Sequence, residues 1–143
     1  MNTEQIGMLV LQYIGWSLGG IAALFVARLA YHLIAPFDPR KELCEDKNAA
    51  VGASNGMFMV AAAIILHGLI VGEKIAQEWW QDVLLMIGMY LLGLAMLWLG
   101  RIALRLLVRF DLDEEIHIKD NLAVGLIEGS SYIGFAIIVH AAL

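Results

Sequence analysis

Apolar residues along this chain gather into four long blocks, 6–35, 49–71, 83–108 and 122–143, separated by short segments where charges cluster. Each block supplies the roughly 20 residues that a helix rising about 1.5 Å per residue needs to cross about 30 Å of hydrocarbon. A helix is also the open-chain structure that satisfies its own backbone polar groups in lipid. The pattern therefore predicts an all-α membrane protein with four transmembrane helices, a single membrane domain over 1–143. The connection 36–47 contains both prolines of the chain and ends the first helix. The connection 72–82 carries Trp79 and Trp80, whose large rings suit the water interface, and 110–121 is a second charged loop.

Composition agrees with the pattern. Hydrophobic residues make up 61% and charged residues 16% of the 143, and the mean hydropathy is +0.77, more apolar than a soluble core of this size requires. The net charge of −5 matters less than how the nine lysines and arginines divide. Arg28, Arg40, Lys41 and Lys47 lie in or near the first connection, and Arg101, Arg105, Arg109 and Lys119 in or near the third; only Lys74 belongs to the second. The positive-inside rule then places 36–48 and 110–121 in the cytoplasm and both termini in the periplasm of a bacterial inner membrane. No basic residue precedes the first apolar block, so that segment reads as a retained span and not a cleaved signal. Cys44, the single cysteine, reads as a free loop thiol, and no metal or cofactor site is expected.

The chain also repeats itself. Shifted by 73 residues, FDPRKELCEDKNAAVGASNG falls without a gap on FDLDEEIHIKDNLAVGLIEG. Asn48, Gly52, Gly56 and His67 meet Asn121, Gly125, Gly129 and His140, and Arg28 meets Arg101. Agreement among apolar residues arises easily by chance, whereas coincident Asn, Arg, His and Gly do not. Two tandem repeats, 8–70 and 81–143, each of two spans, enter the membrane in the same direction and predict pseudo-two-fold symmetry about the membrane normal.

Helical spacing places Asn48, Gly52, Asn55, Gly56 and His67 on one stripe of the second span, and Asn121, Gly125, Glu128, Gly129 and His140 on the matching stripe of the fourth. These stripes are expected to face protein, as an interface packed through small residues or as a pore lining. Asn48 and Asn121 stand where caps of the even-numbered helices belong. Arg101, Arg105 and Arg109 recur every four residues, an arrangement suited to anchorage among headgroups. Counted from the loop, Arg101 is about nine residues deep and Glu128 about seven, so the two reach similar depth and are expected to form an ion pair. Glu128 has no counterpart in the first repeat, where Asn55 stands. No nucleophile elbow, phosphate loop, HExxH or CxxC occurs, so no catalytic residue and no enzyme activity is expected.

The stretch Glu115 to Gly129, EIHIKDNLAVGLIEG, and more loosely Glu42 to Gly56, ELCEDKNAAVGASNG, resembles the YjfL-like bacterial inner-membrane family, a domain of unknown function (domain of unknown function 350). The resemblance implies a small polytopic inner-membrane protein, with links to envelope-stress and polyamine-related systems, and supplies no catalytic residues. The expected function is a self-associating protein that forms or supports an ion- or small-solute-conducting assembly. The alternative is a non-conducting scaffold whose loops 37–47 and 110–120 recruit a cytoplasmic envelope-stress partner. Expected partners are the lipid bilayer and further copies of the chain, not nucleic acid.

Overall fold

The structure, a computed structural model, describes residues 2–72 and 78–143. The chain is helical, with four helices long and apolar enough to span a membrane: α1 (Thr3–Ile34), α3 (Ala49–Val71), α4 (Trp79–Leu107) and α5 (Leu122–Ala142). Between α1 and α3 lies a short helix, α2 (Pro39–Cys44), and before α5 a π-helical turn (Glu114–Ile118). Lys74, the basic residue expected on the outer side, is outside the described residues.

Local chemistry sets the helix ends. Asn2 opens α1 with a reciprocal capping box: its side chain accepts from Gln5 N–H at 2.9 Å, and its own N–H donates to Gln5 Oε1 at 3.0 Å. At the other end Ala35 is extended, with ψ of 131°, because the residue before Pro36 is pushed out of helical geometry. Asp38 then caps α2, with Pro39 at the first position where a missing N–H costs nothing. Two departures from the sequence reading follow. The segments 36–47 and 110–121 are partly helical and not simple loops, and Trp79 and Trp80 open α4 instead of preceding it.

The helix α3 is the hub, packed along its length by α5 and flanked by α1 and α4. The core fills the middle of the bundle with Phe58, Ala61, Ala62, Ile65, Leu97, Tyr132 and Ala136. A second cluster, Phe37, Ala50, Val51, Leu112, Ile116 and Val124, binds the two charged connections to the helix starts. Most of α1 stands apart, and its most apolar 18-residue stretch has no buried residue. Side chains such as Leu33 (86% exposed), Leu106 (84%) and Leu107 (83%) form an outer surface fit for lipid. The chain is a multi-pass membrane protein.

The two stripes meet each other only at one end, where the His67 and His140 rings stack. On α5 the stripe faces inward, with Gly125, Glu128, Gly129, Tyr132 and Ala136 all buried. A Cβ on Gly125 would stand 2.8 Å from Ala50 Cα, and one on Gly129 would stand 2.7 Å from Met57 Cβ. The α3 stripe, also expected to face protein, turns outward in its middle: Gly56 and Ala63 are exposed, and a Cβ on Gly56 would meet nothing within 4 Å. The reason is geometric. The helix α5 lies against the opposite side of α3, the side carrying Ala50, Ser54, Phe58 and Ala61, so the glycine faces that a two-fold arrangement would join are not in contact.

Candidate functional site

The strongest concentration of buried polar chemistry sits where α4 and α5 leave the 110–121 connection. Arg101 projects from the inward face of α4 and is 4% exposed; Glu128, on α5, is fully buried. Arg101 Nε donates to Glu128 Oε1 at 2.7 Å. Its Nη2 donates to Asp113 Oδ1 at 2.6 Å, and its Nη1 to the Ile34 carbonyl at 3.1 Å, one of the acceptors left open at the end of α1. One planar guanidinium thus ties together α1, α4, α5 and the loop, a task that suits its rigid fork of donors. Arg105 also donates to Asp113. Two guanidiniums and two carboxylates balance, so the cluster carries no net charge into the low-dielectric interior.

Neutral donors complete the carboxylate's shell. Ser54 donates to the second oxygen of Glu128, and Tyr31 donates to Ser54 Oγ at 3.1 Å. The Tyr31 ring lies 5.3 Å from Phe58, which in turn meets Tyr132 edge-on at 5.1 Å. Tyr132, one turn beyond Glu128, is fully buried, and its hydroxyl lacks a hydrogen-bond partner among the described residues, as does Asn55 Oδ1. Beyond this level Ile65, Leu97 and Ala136 close the core. The polar network therefore reaches from the loops to about one third of the membrane depth and stops at an aromatic layer. Chemically it holds a fixed, charge-compensated carboxylate with both oxygens engaged.

A second polar knot fastens the two connections. Asn48 caps α3 by accepting from Val51 N–H at 2.8 Å, and its Nδ2 donates to Glu42 Oε2 at 3.1 Å and the Ile116 carbonyl at 2.9 Å. Glu42, itself buried, also contacts His117 Nδ1 at 2.8 Å, and the His117 ring lies against Phe37. Asn121 does not cap α5 through its side chain; its Nδ2 turns to Glu115 Oε2 at 2.8 Å. The neighbouring Lys119, donating at 2.7 Å, and then Asn121 hold the Glu115 carboxyl below its ordinary value, and Glu115 holds the Lys119 ammonium above its own. Glu115's contribution is thus present above the ordinary carboxyl range and lost as pH falls through its lowered value. That of Lys119 is lost only as pH rises through its raised one. Asn48→Ala is expected to cost about 2 kcal/mol or more, since a cap and the bonds to Glu42, Ile116 and His117 go together, and Asn121→Ala clearly less. Chemical unfolding of the two variants in micelles checks the order.

With this geometry in hand, residues 5–143 match the family described as Domain of Unknown Function (DUF350), essentially the whole chain. The chain belongs to the DUF350 family. No curated protein and no solved structure matches it.

In this DUF350 chain the residues singled out from sequence fall into separate places. Arg101 and Glu128 are together in the buried network, and Gly125 and Gly129 are buried where α5 touches α3. Asn48 is in the loop knot, whereas Gly52, Asn55 and Gly56 lie on the far side of α3. His67 and His140 meet at the end of the bundle away from the charged connections, Nδ1 to Nε2 at 3.2 Å with rings 14° from parallel. Arg28, the counterpart of Arg101, is exposed on α1 with no ion pair among the described residues. Sequence reasoning missed Tyr31, Ser54 and Asp113, all partners of the central pair. Ser54 carried a signal, since it stands one residue before Asn55 in a span otherwise poor in hydroxyls. An apolar groove of about 620 Å³ lies between α1 and α4 at the end away from the charged connections, lined by Gly15, Trp16, Gly19 and Tyr90.

Proposed function

We propose that this chain is a self-associating protein of the bacterial inner membrane that forms or supports an ion- or small-solute-conducting assembly, its path lying between copies and not through the core of one. One observation carries this reading: the face of α3 that bears Gly52, Asn55 and Gly56 is turned away from α5, with Gly56 exposed and open, while the bundle's interior is closed by Phe58, Ile65, Leu97 and Tyr132. A polar stripe on the outside of a membrane helix is costly against lipid and suits contact with protein or water.

Two tandem repeats, 8–70 and 81–143, underlie this reading. Backbone details 73 residues apart support the duplication. Lys47 and Asp120 both have positive φ, 54° and 47°. Asn48 N–H donates to the Glu42 carbonyl and Asn121 N–H to the Glu115 carbonyl, each at 2.9 Å. Asp38 and Asp111 each accept from the N–H two residues on, both at 2.9 Å. The contacting faces suit a repeat stacked on the back of its neighbour better than the two-fold arrangement. Basic residues grouped around 36–48 and 110–121 support a cytoplasmic position for those segments and periplasmic termini.

The closed core also favours a second reading, a non-conducting scaffold that recruits a cytoplasmic partner through the exposed charges at 37–47 and 110–120, Glu45 and Asp46 among them. Flux measurements in proteoliposomes separate the two. Wild-type protein is expected to carry ions or small solutes, Gly56→Leu to lose most of that flux, and Leu33→Ala on the lipid side of α1 to keep it. Wild-type flux no greater than that of protein-free vesicles would remove conduction and leave the scaffold.

A further inference from the structure

We infer that copies of this chain join head to tail, the outward face of α3 in one copy seated on the outward face of α5 in the next, so that the assembly repeats between copies the contact these helices already make inside one. The inference rests on the self-association proposed above and adds its interface.

Inside one copy, Gly125 packs on Ala50, Gly129 on Met57, and Glu128 bonds Ser54. Each contact joins the inward stripe of α5 to the opposite face of α3. Shifted by one repeat of 73 residues, the same contacts place Gly52 on Ala123, Gly56 on Ser130, and Asn55 beside Ile127 of the neighbouring copy. Four of these six positions, Gly56, Ala123, Ile127 and Ser130, are exposed, and Gly52 and Asn55 are half-buried. Gly56 has nothing within 4 Å of an added Cβ, and Gly52 has only a Leu43 methyl at 3.5 Å. Ile127 is 49% exposed, and Ala123 and Ser130 are exposed. A chain whose two repeats stack front to back necessarily leaves one unused front, on α3, and one unused back, on α5.

One further observation points to a second copy as the occupant. Small residues on both faces, Gly52 and Gly56 against Ala123 and Ser130, allow the close backbone approach on which helix association in lipid depends. Because the faces differ, the contact is heterologous, and it closes into a ring or runs on as a filament and does not stop at a dimer. In the assembly each His140 would stand between its own His67 and that of the next copy.

Disulfide cross-linking of the full chain in native membranes, in a Cys44→Ser background, tests the arrangement. Gly56→Cys with Ser130→Cys is expected to give a ladder of dimer, trimer and higher species on oxidation, while either cysteine alone gives none. The open space around Gly56 keeps the added side chain from disturbing the fold. Dimers formed by Gly56→Cys alone as the sole product would overturn the head-to-tail interface and leave self-association standing. Absence of a ladder from the double variant, with wild type oligomeric by native mass spectrometry, would overturn the interface likewise. Absence of any cross-link with a monomeric wild type would overturn both.

Discussion

Glu128→Ala is expected to destabilise the folded chain by about 3–5 kcal/mol, the usual cost of leaving one partner of a buried ion pair without the other. Arg101, 4% exposed, cannot reach water, and Asp113, shared with Arg105, is already engaged. Ser54 would lose its acceptor as well. The penalty belongs to the unpaired charge and not to the attraction of the pair, so Arg101→Met combined with Glu128→Leu should recover most of it. Reversible unfolding in mixed micelles measures both. A Glu128→Ala protein as stable as wild type would mean that Asp113 alone compensates the guanidinium.

The second large effect lies in the approach of α5 to α3. Gly125→Ala puts a methyl 2.8 Å from Ala50 Cα, a main-chain atom of a central helix that cannot swing aside as a side-chain tip can. The helices must separate, and overpacking of this kind costs about 1–3 kcal/mol, with backbone obstruction at the upper end. Gly52→Ala is the control, because its nearest neighbour is a Leu43 methyl at 3.5 Å, ordinary contact distance. Its unfolding as a monomer in micelles should lie within about 0.5 kcal/mol of wild type. Equal destabilisation by both substitutions would contradict the asymmetric packing of the two stripes.

How much of this was legible in the sequence varies with the range of the interaction. Helix starts at Asn48 and Asn121 could be read because capping is local, yet only Asn48 uses its side chain for the purpose. Both amides donate to the acid six residues earlier, Glu42 and Glu115, so the difference lies in whether the amide oxygen also reaches a helix N–H, which residue spacing alone does not reveal. Arg101 and Glu128 could be matched by counting residues from the loop, since depth along a helix is linear in sequence. Asp113 could not, because its place depends on a turn that the charged composition of 110–121 gave no reason to expect.

By itself the sequence determined that four apolar helices cross a membrane, where the prolines and asparagines interrupt them, and which residues share a stripe. These follow from periodicity, hydropathy and local capping, all of which act within a few turns of the chain. Only the tertiary structure decided which side of each stripe finds a partner. Two helices with nearly the same stripe, Gly52 with Gly56 and Gly125 with Gly129, ended in opposite environments, one open and one buried. A helix bears small residues all around in such a sequence, and the choice among its faces depends on how its neighbours crowd it, a property of the whole packed bundle.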